Sequence, residues 1–318
     1  MSNYFFTVRQ QNDDGTFNSN IGTTTYLTVP DDADDLLAGY ITDVNEWVSS
    51  IMNEVQEDIL IYVHGYNNSS LNVVKAHKAI RQGLESLKLP DGSNAFNGKV
   101  ITFDWPCGSN ALMYLPDRQQ AKKTAMELVN GGIALLSQRQ KNNCKVNIHL
   151  LAHSTGAFVV REAFDDADDH TEKVIPGWIV TQVVFIAGDI SSSSMNQPGE
   201  CDSIYNHTIR LTNYSNPNDV VLAMSNLKRL GFENRAGRIG LPPNVPNKCV
   251  NVNCGAYYES IAATSIDKFY SHGWFFDDKA NGAFMQDLAG TINGGLDRNV
   301  MPTRRLDDKN NLILITPH

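Results

Sequence analysis

The chain has 318 residues, 42% of them hydrophobic, which is enough to bury one large core and too short to require a second α/β domain. Its net charge of −9 argues against a nucleic-acid partner, because phosphate binding needs a basic face. The start, Met1-Ser2-Asn3-Tyr4-Phe5-Phe6, has neither a basic leader region nor a long apolar one, and no apolar run nears the roughly 20 residues of a membrane span.

Five cysteines, an odd number, read as reduced thiols, so a cytoplasmic protein without a transmembrane segment is expected. The cysteines lack the paired spacing of a zinc site. The acidic clusters at 31–35 and 165–169 match no calcium-loop spacing. No cofactor and no metal are expected.

Tyr4 to Arg9 and Thr23 to Val29 flank the polar turn Asn12-Asp13-Asp14-Gly15, which predicts an N-terminal edge hairpin within residues 1–40. Val44, Trp47, Val48, Ile51 and Val55 recur at helical spacing behind the capping pair Thr42-Asp43. The continuous run Ile59 to Val63 predicts a parallel strand buried on both faces. A helix from Leu71 to Leu87, a strand from Lys99 to Trp105 and a long helix from Arg118 to Gln138 follow. Further strands are predicted at Val146 to Leu151, Trp178 to Ala187, His207 to Leu211 and, as the last, Lys248 to Val252. Strands alternating with helices give an α/β fold: a mostly parallel central sheet with helices on both faces.

The strand Val146 to Leu151 runs into Ala152-His153-Ser154-Thr155-Gly156 and then a helix from Ala157. Small residues two before and two after a serine, between a strand and a helix, form the sharp turn that exposes a nucleophilic hydroxyl. Ala152 stands where the first glycine is usual. The plain alternative is a serine that caps the helix.

A serine needs a base, and the expected chain order is serine, acid, histidine. His170 lies in an acidic loop, His207 begins a strand and His318 is the terminus, so His272 in Tyr270-Ser271-His272-Gly273-Trp274 is the expected base. Asp219, in Asn216-Pro217-Asn218-Asp219, is the favoured acid. Asp189, after the preceding strand, is the alternative, and Asp219 has a second reading as a helix N-cap. The oxyanion donors are expected from the Thr155 and Tyr66 amides, with Gly65 letting the loop turn and His64 orienting it.

Together, Val63-His64-Gly65-Tyr66-Asn67, Phe103-Asp104-Trp105-Pro106, Leu151 to Gly156, Asn216 to Asp219 and Ser271-His272 resemble a bacterial family of α/β-hydrolases of unknown function. That family is related to lipases and esterases, and the resemblance spans roughly residues 55 to 275. It implies the α/β-hydrolase fold over a single domain, 1–318, and an esterase-like serine hydrolase acting through an acyl-enzyme on a small-molecule ester or acyl substrate. Tyr114 and Asp117-Arg118 resemble a further family feature, in which Arg118 either binds substrate or anchors its helix.

About 107–120 and 230–247 read as inserts that build a lid or pocket. Leu112, Met113, Tyr114 and Leu115 are either an acyl lip or buried core, and Arg229, Arg235 and Arg238 are candidates for an anionic substrate group. Thioesterase or acyltransferase chemistry on the same residues, and a catalytically silent binding module, are the alternatives. The oligomeric state is left open.

Overall fold

The computed structural model describes residues 2–55, 57–89, 91–108, 114–139, 146–228, 233–262 and 269–317. The hairpin β1 (Ser2–Gln11) and β2 (Phe17–Pro30) comes first, followed by α1 (Val44–Glu54). Asp43 caps α1 by accepting from the Asn45 and Glu46 amides at 2.8 and 3.3 Å, and Trp47, Val48 and Ile51 form its buried stripe. Then come β3 (Asp58–Val63), α2 (Ser70–Glu85), β4 (Gly98–Asp104), α3 (Tyr114–Leu128) and α4 (Ala134–Gln138).

The expected single helix from 118 to 138 is interrupted between α3 and α4 by a π-helical turn, Val129–Ile133. The turn holds Gly131 and Gly132, and a Cβ at Gly132 would lie 2.5 Å from the Phe6 ring. Glycine there lets the helix close on β1.

The second half runs β5 (Asn147–His153), α5 (Gly156–Asp169), β6 (Val180–Ile186), α6 (Asp202–Asn206) and β7 (Thr208–Ser215). It continues with α7 (Val220–Lys228), α8 (Ala236–Ile239), β8 (Cys249–Asn253), α9 (Gly255–Ala262) and α10 (Tyr270–Gly273). The chain ends in α11 (Gly282–Asn293), β9 (Arg304–Leu306) and β10 (Leu312–Leu314).

Among the described residues, the strands join one 10-stranded sheet in the order β2-β1-β4-β3-β5-β6-β7-β8-β10-β9. The pairs from β1·β4 across to β8·β10 are parallel, and an antiparallel strand closes each edge: β2 on β1 and β9 on β10. The N-terminal hairpin is therefore at the edge, as its sequence predicts. The strand at Lys248 to Val252 is not the last, because the tail adds β10 and β9 beyond it. Those short strands escape a reading by apolar runs, since only Leu312 to Leu314 is fully buried.

Successive side chains alternate faces, which divides the core. Ile59, Ile61 and Val63 of β3 face α1, α3 and α5, whereas Leu60 and Tyr62 face α2 and α11. From β3 the chain crosses to β4 on one side, and from β5 it crosses to β6 on the other. The β3 and β5 ends therefore border the crevice that open α/β sheets leave where strand order reverses.

A buried ion pair fastens the tail. Arg304 Nε and Nη2 donate to the Asp287 carboxylate of α11 at 2.8 and 2.6 Å, and the Tyr214 hydroxyl of β7 donates to the same carboxylate. Replacing Arg304 by Leu leaves that carboxylate buried without its cation, at a cost of about 3–5 kcal/mol. Urea denaturation should show this loss, and a partial recovery when Asp287 is also changed to Leu. A loss no larger than for a surface substitution would show that the pair does not hold the tail.

Candidate active site

Ser154 follows β5 with φ 54, in the left-handed region that a non-glycine residue enters only when its surroundings hold it. Two backbone bonds do so: the Ser154 N–H donates to Ile186 O at 3.1 Å, and the Asp189 N–H donates to Ser154 O at 2.8 Å. Gly156 sets the tightness of the turn, because a Cβ there would lie 2.3 Å from Val63 O. Ala152 pairs in register with Val63 and is fully buried, so the missing first glycine costs no space. Thr155 is the N-cap of α5, which puts its N–H among the helix-end donors without an intrahelical acceptor.

The loop after β3 meets this turn from the other side of the crevice. A Cβ on Gly65 would lie 2.7 Å from Ser154 Cβ, so the loop passes against the serine only as glycine. Asn68 ties the loop to itself, its amide donating to Gly65 O at 2.9 Å and to Tyr66 O at 3.2 Å. Asn67 takes φ 61, an αL position that asparagine tolerates. Tyr66, His153, Gly273 and Phe276 line a cleft of about 270 Å³ beside the turn. A larger hollow of 830 Å³ runs between α2 and α11 and is lined by none of Ser154, Asp219 and His272.

His64 is buried beneath the loop and does orient it. Nδ1–H donates to Gly65 O at 2.8 Å, Nε2 faces Asp104 Oδ1 at 3.1 Å, and the ring stacks on Trp105. The same Asp104 accepts from Arg9 Nε at 2.8 Å and Thr7 Oγ1 at 2.7 Å, while Arg9 Nη2 donates to Asn68 O at 2.8 Å. Burial works against a charged His64, but hydrogen bonds to Asp104 and Cys107 and their charges outweigh it and raise the ring's pKa to about 9. The Trp105 amide also lies 3.2 Å from Nε2. A protonated Nε2 cannot accept that bond, and the adjacent carboxylate decides for the protonated ring. Asp104 is held down at about 2 by Arg9 and His64, against its own burial.

On the acid side, the hydrogen bond to His272 Nδ1 is made by Asp219, whose Oδ2 accepts it at 2.7 Å. Its Oδ1 accepts from the Leu222 amide at 2.9 Å. The two readings of Asp219, partner of the histidine and cap of α7, therefore hold together on separate oxygens. Asn216 Nδ2 donates to Ser271 O at 2.9 Å and the Val220 N–H to Ser271 Oγ at 3.2 Å, which binds the acid's loop to the base's segment. His272 lies in the short helix α10 rather than in an open loop.

Burial of His272 disfavours its protonation, but the charge and hydrogen bond of Asp219, with Asp189 behind, bring its pKa above the usual 6.5. His153, between Ala152 and Ser154, is held well below that value by burial and by the His272 charge, so its neutral Nε2–H donates to His272 O at 3.2 Å.

Asp189 is drawn into another pair, Oδ1 standing 3.2 Å from Arg235 Nε. Burial raises its pKa to about 6 despite Arg235 and Arg118. Arg118 lies 3.4 Å over the Phe158 ring of α5. Arg238 belongs to α8. Leu112, Met113 and Arg229 lie outside the described residues, as do the side chains of Tyr114, Leu115 and Asp117. His207 stacks on Trp178 at 3.9 Å and bonds Asp168, and His170 is exposed. Among the described residues no group of three or more His, Cys, Asp or Glu is placed to hold a metal ion, and no helix is long and apolar enough to cross a membrane.

Sequence reasoning missed Arg9, Asn68, Asn216 and His153 as supports of the site, and gave Asp104 no role. Arg9 stands in the edge hairpin, where nothing in the local sequence points to the site.

A parallel sheet with helices on both faces, a strained serine turn at the strand-order reversal and an aspartate–histidine pair after the following strands define an α/β-hydrolase. The chain belongs to the family described as alpha/beta hydrolase of unknown function (DUF900), whose model matches residues 41–266. The match includes Ser154 and Asp219 and stops short of His272.

No curated protein matches the chain in sequence. Among solved structures it is similar to a cutinase-like protein from Cryptococcus sp., at 13% identity and TM-score 0.35, over 77% of this chain and 98% of that one. It is similar to an esterase/lipase from an uncultured bacterium, at 11% identity and TM-score 0.37, over 88% and 87%. A hyperthermophilic esterase from the archaeon Pyrobaculum calidifontis aligns at 11% identity and TM-score 0.36, over 76% and 75%.

The raised pKa of His64 has a stability consequence. A histidine held protonated by folding contributes stability that is complete below its unfolded pKa and is lost as pH rises through the folded one. The stability difference between the native protein and His64→Gln should therefore shrink as pH rises from 6.5 to about 9. Urea unfolding at a series of pH values measures this, and a difference that grows over that window would show the ring to be neutral.

Proposed function

We propose that the protein is a serine hydrolase that cleaves a carboxylic ester of a small molecule through an acyl-enzyme. The observation that carries this reading is the 2.7 Å bond between Asp219 Oδ2 and His272 Nδ1, made beside a serine held at φ 54. A carboxylate on Nδ1 fixes the tautomer that leaves Nε2 free to accept a proton, and it stabilises the imidazolium that follows.

Ser154 Oγ attacks the ester carbonyl carbon while His272 Nε2 takes its proton. The Thr155 and Tyr66 amides receive the charge that develops on the carbonyl oxygen, a stabilisation worth about 3–4 kcal/mol per donor. The intermediate collapses as the alkoxide leaves with the proton from His272. Water then gives a proton to His272 while its oxygen attacks the acyl carbon, and the second intermediate collapses as His272 returns that proton to Ser154 Oγ, releasing the acid. Asp219 stays ionised throughout.

Thioesters are open to the same sequence of steps. In the same reading the protein is a single cytoplasmic domain, which its odd cysteine count supports.

A fluorophosphonate probe should label the native protein and not Ser154→Ala; equal labelling of both, or none of either, removes the nucleophile assignment. Asp219→Asn should lower kcat/KM for a 4-nitrophenyl ester by about 10³–10⁴-fold, and Asp189→Asn should fall far short of that. The reverse order would transfer the acid role.

Because His272 acts as a base and its pKa lies above 6.5, kcat/KM should decline as pH falls, with a midpoint above that value. A midpoint clearly below 6.5 would contradict the charge coupling to Asp219.

A further inference from the structure

Beside the serine turn lies a hollow of about 210 Å³ that takes no part in the steps above. Its lining carries guanidinium groups from three elements: Arg118 of α3, Arg161 of α5 and Arg235 at the start of α8. Two of them have acids of their own. Arg235 pairs with Asp189 at 3.2 Å, and Arg161 pairs with Glu200 and, through Nε at 3.0 Å, with Glu162. Glu162 is shared with Lys122 at 2.8 Å, and Glu233 is exposed at the rim.

Arg118 differs from both. Its guanidinium centre is half-buried over the Phe158 ring, and no carboxylate of the described residues pairs with it. An aromatic ring meets the face of a guanidinium and leaves the five N–H donors of its fork unanswered. Burial lowers its pKa to about 10; Asp189 works against this, and the like charges of Arg161 and Arg235 add to it. The group is still a cation near neutral pH, partly withdrawn from water beside two others. Such a charge is costly unless an anion meets it.

The hollow is also close to the chemistry. Asp189, on its wall, donates its backbone N–H to Ser154 O at 2.8 Å, and Phe158 stands four residues beyond the serine on α5. Its volume is several times the roughly 30 Å³ share of a water molecule, which suits an acid group on a short arm and not a long acyl chain.

We propose that this hollow is an anion subsite in which Arg118, with Arg235 beside it, receives a carboxylate or phosphate group carried by the substrate. The subsite selects esters with an acidic substituent a few bonds from the scissile carbonyl, so the substrate class is an acidic ester and not a neutral lipid. Its link to catalysis rests on Ser154 being the nucleophile; the binding of the anion does not.

Titration calorimetry on Ser154→Ala protein, with succinate, inorganic phosphate and neutral succinamide as probes, tests the binding. Saturable binding of succinate or phosphate, absent for succinamide and weakened at least about tenfold by adding Arg118→Gln, is expected for a charge-assisted contact. The stronger of the two anions identifies the acid group. No anion binding, or binding that Arg118→Gln leaves unchanged, overturns the subsite.

With the native serine, kcat/KM for 4-nitrophenyl hydrogen succinate should exceed that for 4-nitrophenyl butyrate by at least about tenfold. Arg118→Gln should bring this ratio near one. A ratio near one in the native enzyme sinks the subsite and leaves the hydrolase reading standing. Anion binding to a protein whose Ser154 takes no fluorophosphonate does the opposite.

Discussion

The constraint on which the rest of this structure depends is the close passage of three backbone segments at the ends of β3, β5 and β6. Ser154 sits at φ 54 between them, and that conformation persists because the Ile186 carbonyl and the Asp189 amide bind its own amide and carbonyl. Gly65 and Gly156 let the neighbouring segments approach to distances that any side chain would block. Gly237 does the same behind the turn after β6, where a Cβ would lie 2.2 Å from Gly188 N. The serine turn is therefore fixed by backbone contacts from several strands, and its geometry does not depend on any long, mobile side chain.

A second layer of support is electrostatic. Asp104 is fully buried, and its charge is matched by Arg9 and His64 with hydrogen bonds to each. Burying an ion pair seldom adds stability against an apolar substitute of similar volume. Here it joins the edge hairpin, the β4 end and the loop carrying Gly65 and Tyr66 in one arrangement. The N-terminal hairpin closes the sheet and also holds the proposed oxyanion loop through Arg9.

The acid and base are organised in a related way. Asp219 divides its two oxygens between the Leu222 amide of α7 and the imidazole, so the helix orients the carboxylate that orients the histidine. His153 and Asn216 then hold the carbonyls of His272 and Ser271. Together, the bonds of His153, Asn216 and Asp219 link the end of β5 and the loop after β7 to the segment that follows β8. That segment is buttressed in turn by the aromatic cluster of Trp274, Phe275 and Phe284.

By itself the sequence determined the alternation of strands and helices, because the apolar runs and their periods record which faces are buried. It also determined the serine turn, since small residues at 152 and 156 between a strand and a helix are a local steric requirement. The order of Ser154, Asp219 and His272 was legible for the same reason, each standing in a short segment after a strand.

Only the tertiary structure decided which aspartate meets His272, because Asp189 and Asp219 occupy equivalent places in sequence and differ in what the neighbouring loops bring to them. Arg235 reaches Asp189 from a segment more than forty residues on. The terminal strands and the role of Arg9 also needed the structure. A three-residue strand has no period to read, and a buried ion pair is set by partners far apart in the chain, whose meeting no local pattern encodes.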